Sequence, residues 1–319
     1  MSAGKVLVTG GGGFIGSHLV ERLLRDGREV RVLDNFSTGH RGNLADIGGE
    51  VELVEGDIQS YERVHTAVRG CELVFHLAAL PSVPRSVQDP LTSTASNVTG
   101  TLNVLLAARD EDVRRVVFAS SSSVYGPESE FPQRENAPAR PISPYGVSKL
   151  AAEGYCRAFT RVYGLETVAV RYFNVFGPRQ DPLSQYAAVI PNFITAVMAG
   201  ERPVIYGDGE QSRDFTYIDN TVDGTVLAAS AEGAAGETFN VACGDSLSLN
   251  QLLENIRELS GKPVEAVYTD PRPGDVPRSL ADISRAREVL GYEPAVDIRA
   301  GIEKTFVHFS SQSAAALSA

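Results

Sequence analysis

Cysteine is scarce. Cys71, Cys156 and Cys243 are the chain's three, an odd number that cannot close a disulfide framework and that suits small buried thiols in a reducing cytoplasm. Long apolar runs are missing too: no stretch approaches the roughly 18 residues of a membrane span. The first residues lead into a strand and a glycine cluster at Gly10, without the basic and apolar regions of a signal peptide. The expected location is therefore cytoplasmic. Basic residues are outnumbered, 29 Lys and Arg against 40 Asp and Glu, for a formal net charge of −11. A nucleic-acid backbone is neutralised by clustered Lys and Arg, so no nucleic-acid partner is expected, while a small anion in a local basic pocket remains open. No internal repeat is present, and no metal site is expected. What remains has ordinary globular composition, 43% hydrophobic and 22% charged over 319 residues. Such a chain buries roughly 75% of its unfolded surface in one large domain or two intimate lobes.

The first half alternates short β-branched runs with helical patterns. Strands are expected at 5–9, 29–33, 51–54, 73–76 and 115–119, and helices at 15–25, 63–68 and 91–108. This is the βαβ signature of a parallel sheet covered on both faces. A helix starting near Tyr145 should lead into a strand over 167–172. Beyond it Pro and Gly interruptions mark a smaller, loop-rich lobe, with helices expected at 190–198, 221–229, 249–259 and 302–309. The expected fold is α/β: a Rossmann-type doubly wound parallel sheet over 1–172, rejoined by the chain around 214–242, a substrate lobe over most of 173–309, and a flexible tail over 310–319.

Gly10, Gly13 and Gly16 form a G-x-x-G-x-x-G loop directly after a strand and before a helix. Backbone N–H groups and the helix N-terminus can receive a pyrophosphate there. Leu33 closes the second strand just before Asp34, where a carboxylate accepts both ribose hydroxyls and repels a 2′-phosphate, favouring NAD over NADP. Asp57 and Ile58 after the third strand are placed to meet the adenine, Asp57 being equally suited to cap a helix. His76, Leu77, Ala78 and Ala79 follow the fourth strand, where small side chains let the backbone approach a cofactor. His76 itself reads as a packed, hydrogen-bonded histidine.

Tyr145 and Lys149 lie one turn apart at a helix start and share a face. An ammonium beside a phenol lowers its pKa from about 10 towards neutrality, so that Tyr145 could accept and return a hydroxyl proton. Y-x-x-x-K alone is a weak pattern. Here Ser120, Ser121, Ser122 and Ser123 precede it, at a strand end and followed by Val-Tyr-Gly.

Together the glycine loop, Asp34, SSSSVYG, YGVSK and RYFNVFGPRQDP resemble the extended short-chain dehydrogenase/reductase superfamily, and within it the NAD-dependent epimerase/dehydratase family. The stretch 78–97, AALPSVPRSVQDPLTSTASN, with SRDFTYI and RPGDVPRSLADIS, is most similar to UDP-hexose 4-epimerases of the UDP-N-acetylhexosamine and UDP-hexuronic acid branch. The resemblance implies that Tyr145 removes the proton of the sugar 4-hydroxyl while the C4 hydride passes to NAD, with Ser121 sharing a hydrogen bond to the same oxygen. The 4-keto sugar then turns and takes the hydride back on its other face. It also implies cofactor contacts from Phe14, Ile15, Asn35, Ser37, Thr38, Gly39, Asn97, Ser120 and Tyr172, besides the residues above and the catalytic pair, and a homodimer paired through the helices at 91–108 and 145–163. Dehydratases and decarboxylases of similar sequence carry acidic residues where Ser122 and Ser123 stand, which demotes both reactions. A net oxidoreductase and a non-catalytic NAD sensor are the other readings.

For the UDP-sugar, the resemblance places Asn174, Arg213 and Arg272 on the diphosphate, a guanidinium suiting two phosphates better than an ammonium. Asp275 falls on the uridine ribose, and Ala188, Val189 and Tyr206 on the uracil, Tyr206 being equally suited to the core. Ser82, Val83, Ser122 and Ser123 flank the sugar. Arg85 and Arg179 are placed to recognise a C6 carboxylate. Ser279 takes the gatekeeper position, where a small residue leaves room for a 2-acetamido group.

Overall fold

The computed structural model describes residues 4–45, 47–127, 130–181, 188–271 and 276–318, with backbone alone from 313. The first half runs β1 (Val6–Thr9), α1 (Phe14–Arg25), β2 (Val30–Asp34), α2 (Gly42–Ala45), β3 (Val51–Glu55), α3 (Tyr61–Val68), β4 (Leu73–His76), α4 (Val83–Gln88), α5 (Pro90–Thr94), α6 (Gly100–Asp110) and β5 (Arg115–Ser121). There follow α7 (Pro144–Tyr163), β6 (Glu166–Tyr172), β7 (Val175–Phe176), α8 (Val189–Ala199), β8 (Val204–Tyr206), β9 (Ser212–Arg213), β10 (Thr216–Tyr217), α9 (Ile218–Ser230), β11 (Thr238–Val241), β12 (Leu247–Ser248), α10 (Leu249–Ser260), β13 (Val267–Thr269) and α11 (Ile298–Ser318).

The central sheet has the order β11-β6-β5-β4-β1-β2-β3 with every neighbour parallel. This is a Rossmann-type doubly wound sheet, whose order reverses between β1 and β4 and opens a crevice at their carboxyl ends. Alternation along each strand builds two cores: Val6 and Val8 enter the cluster on one face, Leu7 the cluster on the other. β1 and β4 are buried at every residue, whereas edge strand β3 is half exposed.

The chain comes back to the sheet late. α9 packs against β5 and β6, and β11 pairs with β6 in the register Thr238↔Ala169. The remaining strands form three two-stranded ladders, β7 with β10, β8 with β13 and β9 with β12, beside the packed helices α8, α10 and α11.

The helix expected over 91–108 runs without a break from Pro90 to Asp110 as α5, a π turn over Ala95–Thr99, and α6. The widened turn delivers the buried Asn97 side chain to the backbone of Leu80 after β4, a tertiary bond that apolar spacing does not encode. The segment read as a tail extends α11 in helical form to Ser318.

Candidate functional site

The glycine loop connects β1 to α1 by close backbone approach. Gly10 has φ +74°, and a Cβ there would lie 2.7 Å from the Ala78 nitrogen, so the loops after β1 and β4 touch. A Cβ at Gly16 would lie 2.0 Å from the Gly10 carbonyl oxygen, which only glycine avoids. Gly13 caps α1 in extended conformation without a side-chain cap bond, and the first turn holds no acid, leaving its N–H groups open to an anion. Phe14 and Ile15 pack on the core, so backbone is what they offer a ligand.

Asp34, at the end of β2, accepts N–H bonds from Gly12 and Phe36, both 2.8 Å. Its carboxylate is thereby fixed at the crevice rim, with lone pairs left for two hydroxyls. Asn35 reaches from the same loop to Asp57 (2.8 Å). Asp57 accepts the Gln59 N–H, while Ser60 is the residue that caps α3, so the capping alternative for Asp57 is not realised. Ser37 and Thr38 are exposed. Gly39 lies flat on Gly12, where a Cβ would come within 2.7 Å of backbone. Ile58 is buried under Gly100. Leu77 donates its N–H to the Thr9 carbonyl, and Ala78 and Ala79 line the partly buried loop behind β4. This cradle fits a dinucleotide: a pyrophosphate at the α1 N-terminus, a ribose on Asp34.

Three assigned cofactor residues have their side chains engaged elsewhere. Ser120 donates to buried Glu153 (2.5 Å), the Tyr172 hydroxyl bonds Thr225 (2.8 Å), and the Asn97 amide binds Leu80 and Ser148. Each sits beside the crevice as support and could offer a ligand only backbone or a ring face.

Tyr145 begins α7, whose start is fixed by Ser143 as cap, bonding the Gly146 N–H (3.1 Å), and by Pro144 in the first turn. The Tyr145 N–H donates to Ser86 Oγ at 3.0 Å, tying α7 to α4. At the end of β5 the Ser121 hydroxyl lies near the Tyr145 phenol and donates to Ser123 Oγ at 3.2 Å. It also takes the Ser123 N–H (3.1 Å), capping a 3-10 turn over Ser122–Val124 that presents the Ser122 and Ser123 hydroxyls. Lys149, one turn below, donates to the Ala119 carbonyl (2.8 Å), with Nζ 4.9 Å from the Phe118 ring centre and 5.9 Å from that of Tyr145.

Burial governs the charges here. It pushes the Tyr145 phenol up, with the nearby Ser121 hydroxyl opposing, and brings Lys149 down to about 8. The expected lowering of Tyr145 by Lys149 is therefore corrected: the amine faces a carbonyl instead, and desolvation wins.

Beneath this pair lies a support that sequence reading did not find. Glu153, a turn beyond Lys149, takes Arg171 Nε (2.9 Å) and Nη2 (2.8 Å) in a bidentate bond. The two side chains are 1% and 5% exposed and clamp α7 to β6. Glu153→Ala should cost about 3–5 kcal/mol, since it leaves a buried guanidinium uncompensated. Urea unfolding checks this, and a loss below about 1 kcal/mol would contradict the clamp.

On the substrate side, Asn174 (φ +33°) donates to the Asp214 carbonyl at 2.9 Å. Arg213 on β9 is half-buried and bonds the Ser212 carbonyl, and Ser279, 7% exposed, donates its N–H to the same carbonyl (3.0 Å). Asn174 thus bonds Asp214, while Arg213 and Ser279 share the preceding Ser212 carbonyl, and the Asp214 carboxylate takes the N–H groups of Cys243, Gly244 and Ala281. Burial pushes Asp214 up to about 7. Asp214 lies inside SRDFTYI, yet only its burial marks it as the organiser. Ser82 caps α4 and takes the Arg85 N–H (3.1 Å), Val83 is exposed and Arg85 half-buried. Ala188 and Val189 open α8. Tyr206 ends β8 half-buried and outside both core clusters, against its core alternative. Arg272 and Asp275 lie outside the described residues.

Arg179 bonds Glu21 on α1 at 2.6 Å through Nη2, while its buried Nη1 has no partner among the described residues. Among the described residues no cluster of metal-ligating side chains occurs, and no helix is long and apolar enough to cross a membrane.

Comparison with known proteins agrees with this geometry. The chain is 42% identical over 313 residues to a UDP-glucose 4-epimerase of Mycolicibacterium smegmatis, covering 97% of this chain and 99% of that one. A UDP-N-acetylglucosamine 4-epimerase structure from Methanobrevibacter ruminantium superposes with TM-score 0.93 at 41% identity, covering 98% and 100% of the chains. A Thermus thermophilus UDP-glucose 4-epimerase in complex with NAD gives TM-score 0.87 at 38% identity, covering 96% and 99%. Residues 6–242 match the NAD dependent epimerase/dehydratase family directly, and with these relatives along nearly its whole length the chain belongs to that family.

Proposed function

We propose that this chain is an NAD-dependent UDP-sugar 4-epimerase. The observation that carries the reading is the grouping of Ser121 at the end of β5 with Tyr145 and Lys149 on one face of α7, the Lys149 Nζ 5.9 Å from the Tyr145 ring. Bound NAD, held by the glycine loop and Asp34, supplies a place for the C4 hydride to go and return from. Tyr145 takes the 4-hydroxyl proton and gives it back, Ser121 holds the same oxygen in line, and Lys149, bonded to the Ala119 carbonyl one turn below, completes the set. Ser122 and Ser123 offer hydroxyls and no carboxylate, so elimination and decarboxylation lack their acid and base. Asn174 and Arg213 hold the diphosphate, with Arg272 expected beside them.

Substrates are UDP-glucose and UDP-galactose together with their 2-acetamido counterparts, for which small Ser279 leaves space, or the uronic acids of these sugars. Incubation with UDP-glucose, UDP-N-acetylglucosamine and their uronic acids, without added NAD, should give 4-epimers by proton NMR. Loss of carbon dioxide, a 4-keto-6-deoxy product or stoichiometric NADH would replace this reading with another reaction on the same fold.

The pairing of two copies through α5 and α7 rests on an apolar face: Leu91 is 82% exposed, Val147 53% and Val162 70%, with Tyr155 beside them. Such a face is covered in a homodimer. Light scattering at micromolar concentration should give twice the chain mass, and a monomer contradicts the pairing. The scarce cysteines, all free, suit the cytoplasm.

A further inference from the structure

His76 ends β4 between β1 and β5 and is 1% exposed. Its Nδ1 lies 2.7 Å from Thr9 Oγ1 and its Nε2 2.9 Å from Thr101 Oγ1. The direction of each bond follows from the neighbours. Thr101 donates its hydroxyl hydrogen to the Asn97 carbonyl at 2.7 Å, so towards the histidine it can only accept. Nε2 therefore carries the ring proton. Nδ1 is then bare and accepts the Thr9 hydroxyl hydrogen, which leaves the Thr9 oxygen free to accept the Ala78 N–H (3.2 Å). In the other tautomer Thr101 would have to abandon Asn97, and the Thr9 hydrogen would have no recipient.

The chain of bonds continues past Thr101. The Asn97 side chain takes the Leu80 N–H (2.7 Å) and donates to Ser148 Oγ (3.1 Å), which donates to the Tyr145 carbonyl (2.7 Å). Thr9, His76, Asn97, Thr101 and Ser148 are each at most 2% exposed. Thr9 immediately precedes Gly10, and Ser148 sits on the turn carrying Tyr145. The two ends of the chain are thus the two parts of the site that must be held in register.

We propose that His76 is a positioning residue, a bridge locked in its Nε2–H form that fixes the dinucleotide loop against the helical turn bearing Tyr145. The inference deepens the epimerase reading and rests on Tyr145 as the acid/base. The ring is kept neutral by burial and by the Lys149 ammonium, which like His76 lies against the Phe118 ring; together they bring His76 down to about 3. A second proton would turn Nδ1 from acceptor to donor and orphan the Thr9 hydrogen. The register is thereby insulated from pH over the range in which free histidine titrates.

Two measurements test the bridge. In protein labelled with nitrogen-15 at its histidine rings, the His76 resonances, identified by their loss in His76→Gln, should show a bare Nδ1 and a protonated Nε2 unchanged from about pH 8 to about pH 5. An Nδ1–H pattern, or titration near the ordinary value of about 6.5, overturns the assignment. Second, Thr9→Val and Thr101→Val keep shape and remove one hydroxyl each. Without substrate, Thr101→Val should speed amide exchange about tenfold both at 77–80 and at 145–148, while Thr101→Ser restores protection. Faster exchange around residue 101 alone would make the contact merely local and end the proposal. With a converted UDP-sugar, both valine variants should lose about tenfold in kcat with KM within about twofold, and the serine variants should recover. Loss in KM alone would contradict positioning. If no UDP-sugar is converted, the epimerase reading fails, while resonances and exchange still decide whether the bridge exists.

Discussion

Tyr145→Phe is expected to cut turnover by about 10²–10⁴-fold while fold and NAD content stay intact. The substitution removes a single oxygen. Helix α7 keeps its start, because the Ser143 cap, Pro144 and the bond from the residue 145 N–H to Ser86 involve backbone and other side chains. The ring keeps its place near Lys149, whose own bond goes to the Ala119 carbonyl. Only the phenol hydroxyl disappears, the group that takes and returns the sugar proton. Rate, cofactor content by absorbance after denaturation, and thermal unfolding together check the expectation. A Phe variant of unchanged turnover would remove Tyr145 from the mechanism.

The second large effect concerns selectivity. Ser279 is buried beside Ser212 and Arg213, with its N–H fixed to the Ser212 carbonyl. A tyrosine there adds a ring to space we assign to the 2-acetamido group. Steric exclusion of this kind discriminates by several kcal/mol, so Ser279→Tyr should lower conversion of UDP-N-acetylglucosamine by about 10²-fold or more and that of UDP-glucose by less than about tenfold. Parallel kcat/KM measurements on the two sugars decide it. Equal losses would mean general damage to the lobe, and unchanged use of the acetamido sugar would show that residue 279 does not face it.

The parts of this molecule legible in its sequence are those encoded locally. The run LVFH over Leu73–His76 is a strand because it is apolar and bounded by polar turns, and it is buried because helices cover both faces of its sheet. The glycine loop could be read because Gly10 and Gly16 answer a steric demand that no other residue meets. Tyr145 and Lys149 could be paired because helical spacing alone sets them on one face. Long-range hydrogen bonds were not legible. Glu153 to Arg171, Asp214 to Cys243 and Ala281, and Arg179 to Glu21 each join residues whose pairing depends on where the sheet and lobe bring them. A motif gives a side chain's neighbourhood in sequence, not its partner in space, as the pairing of Arg179 with Glu21 illustrates. The π turn at Asn97 escaped likewise, since it accompanies the long-range bonds of the Asn97 side chain to Leu80.

Transient oxidation at C4 with return of the same hydride is the centre of the account, and heavy water tests it directly. Purified protein is incubated in D₂O with a UDP-sugar that it converts, without added NAD, and the C4 position of the product is examined by proton NMR. The account predicts a product carrying the original hydrogen at C4, with no build-up of NADH absorbance. Deuterium at C4, or NADH accumulating in step with product, would contradict it.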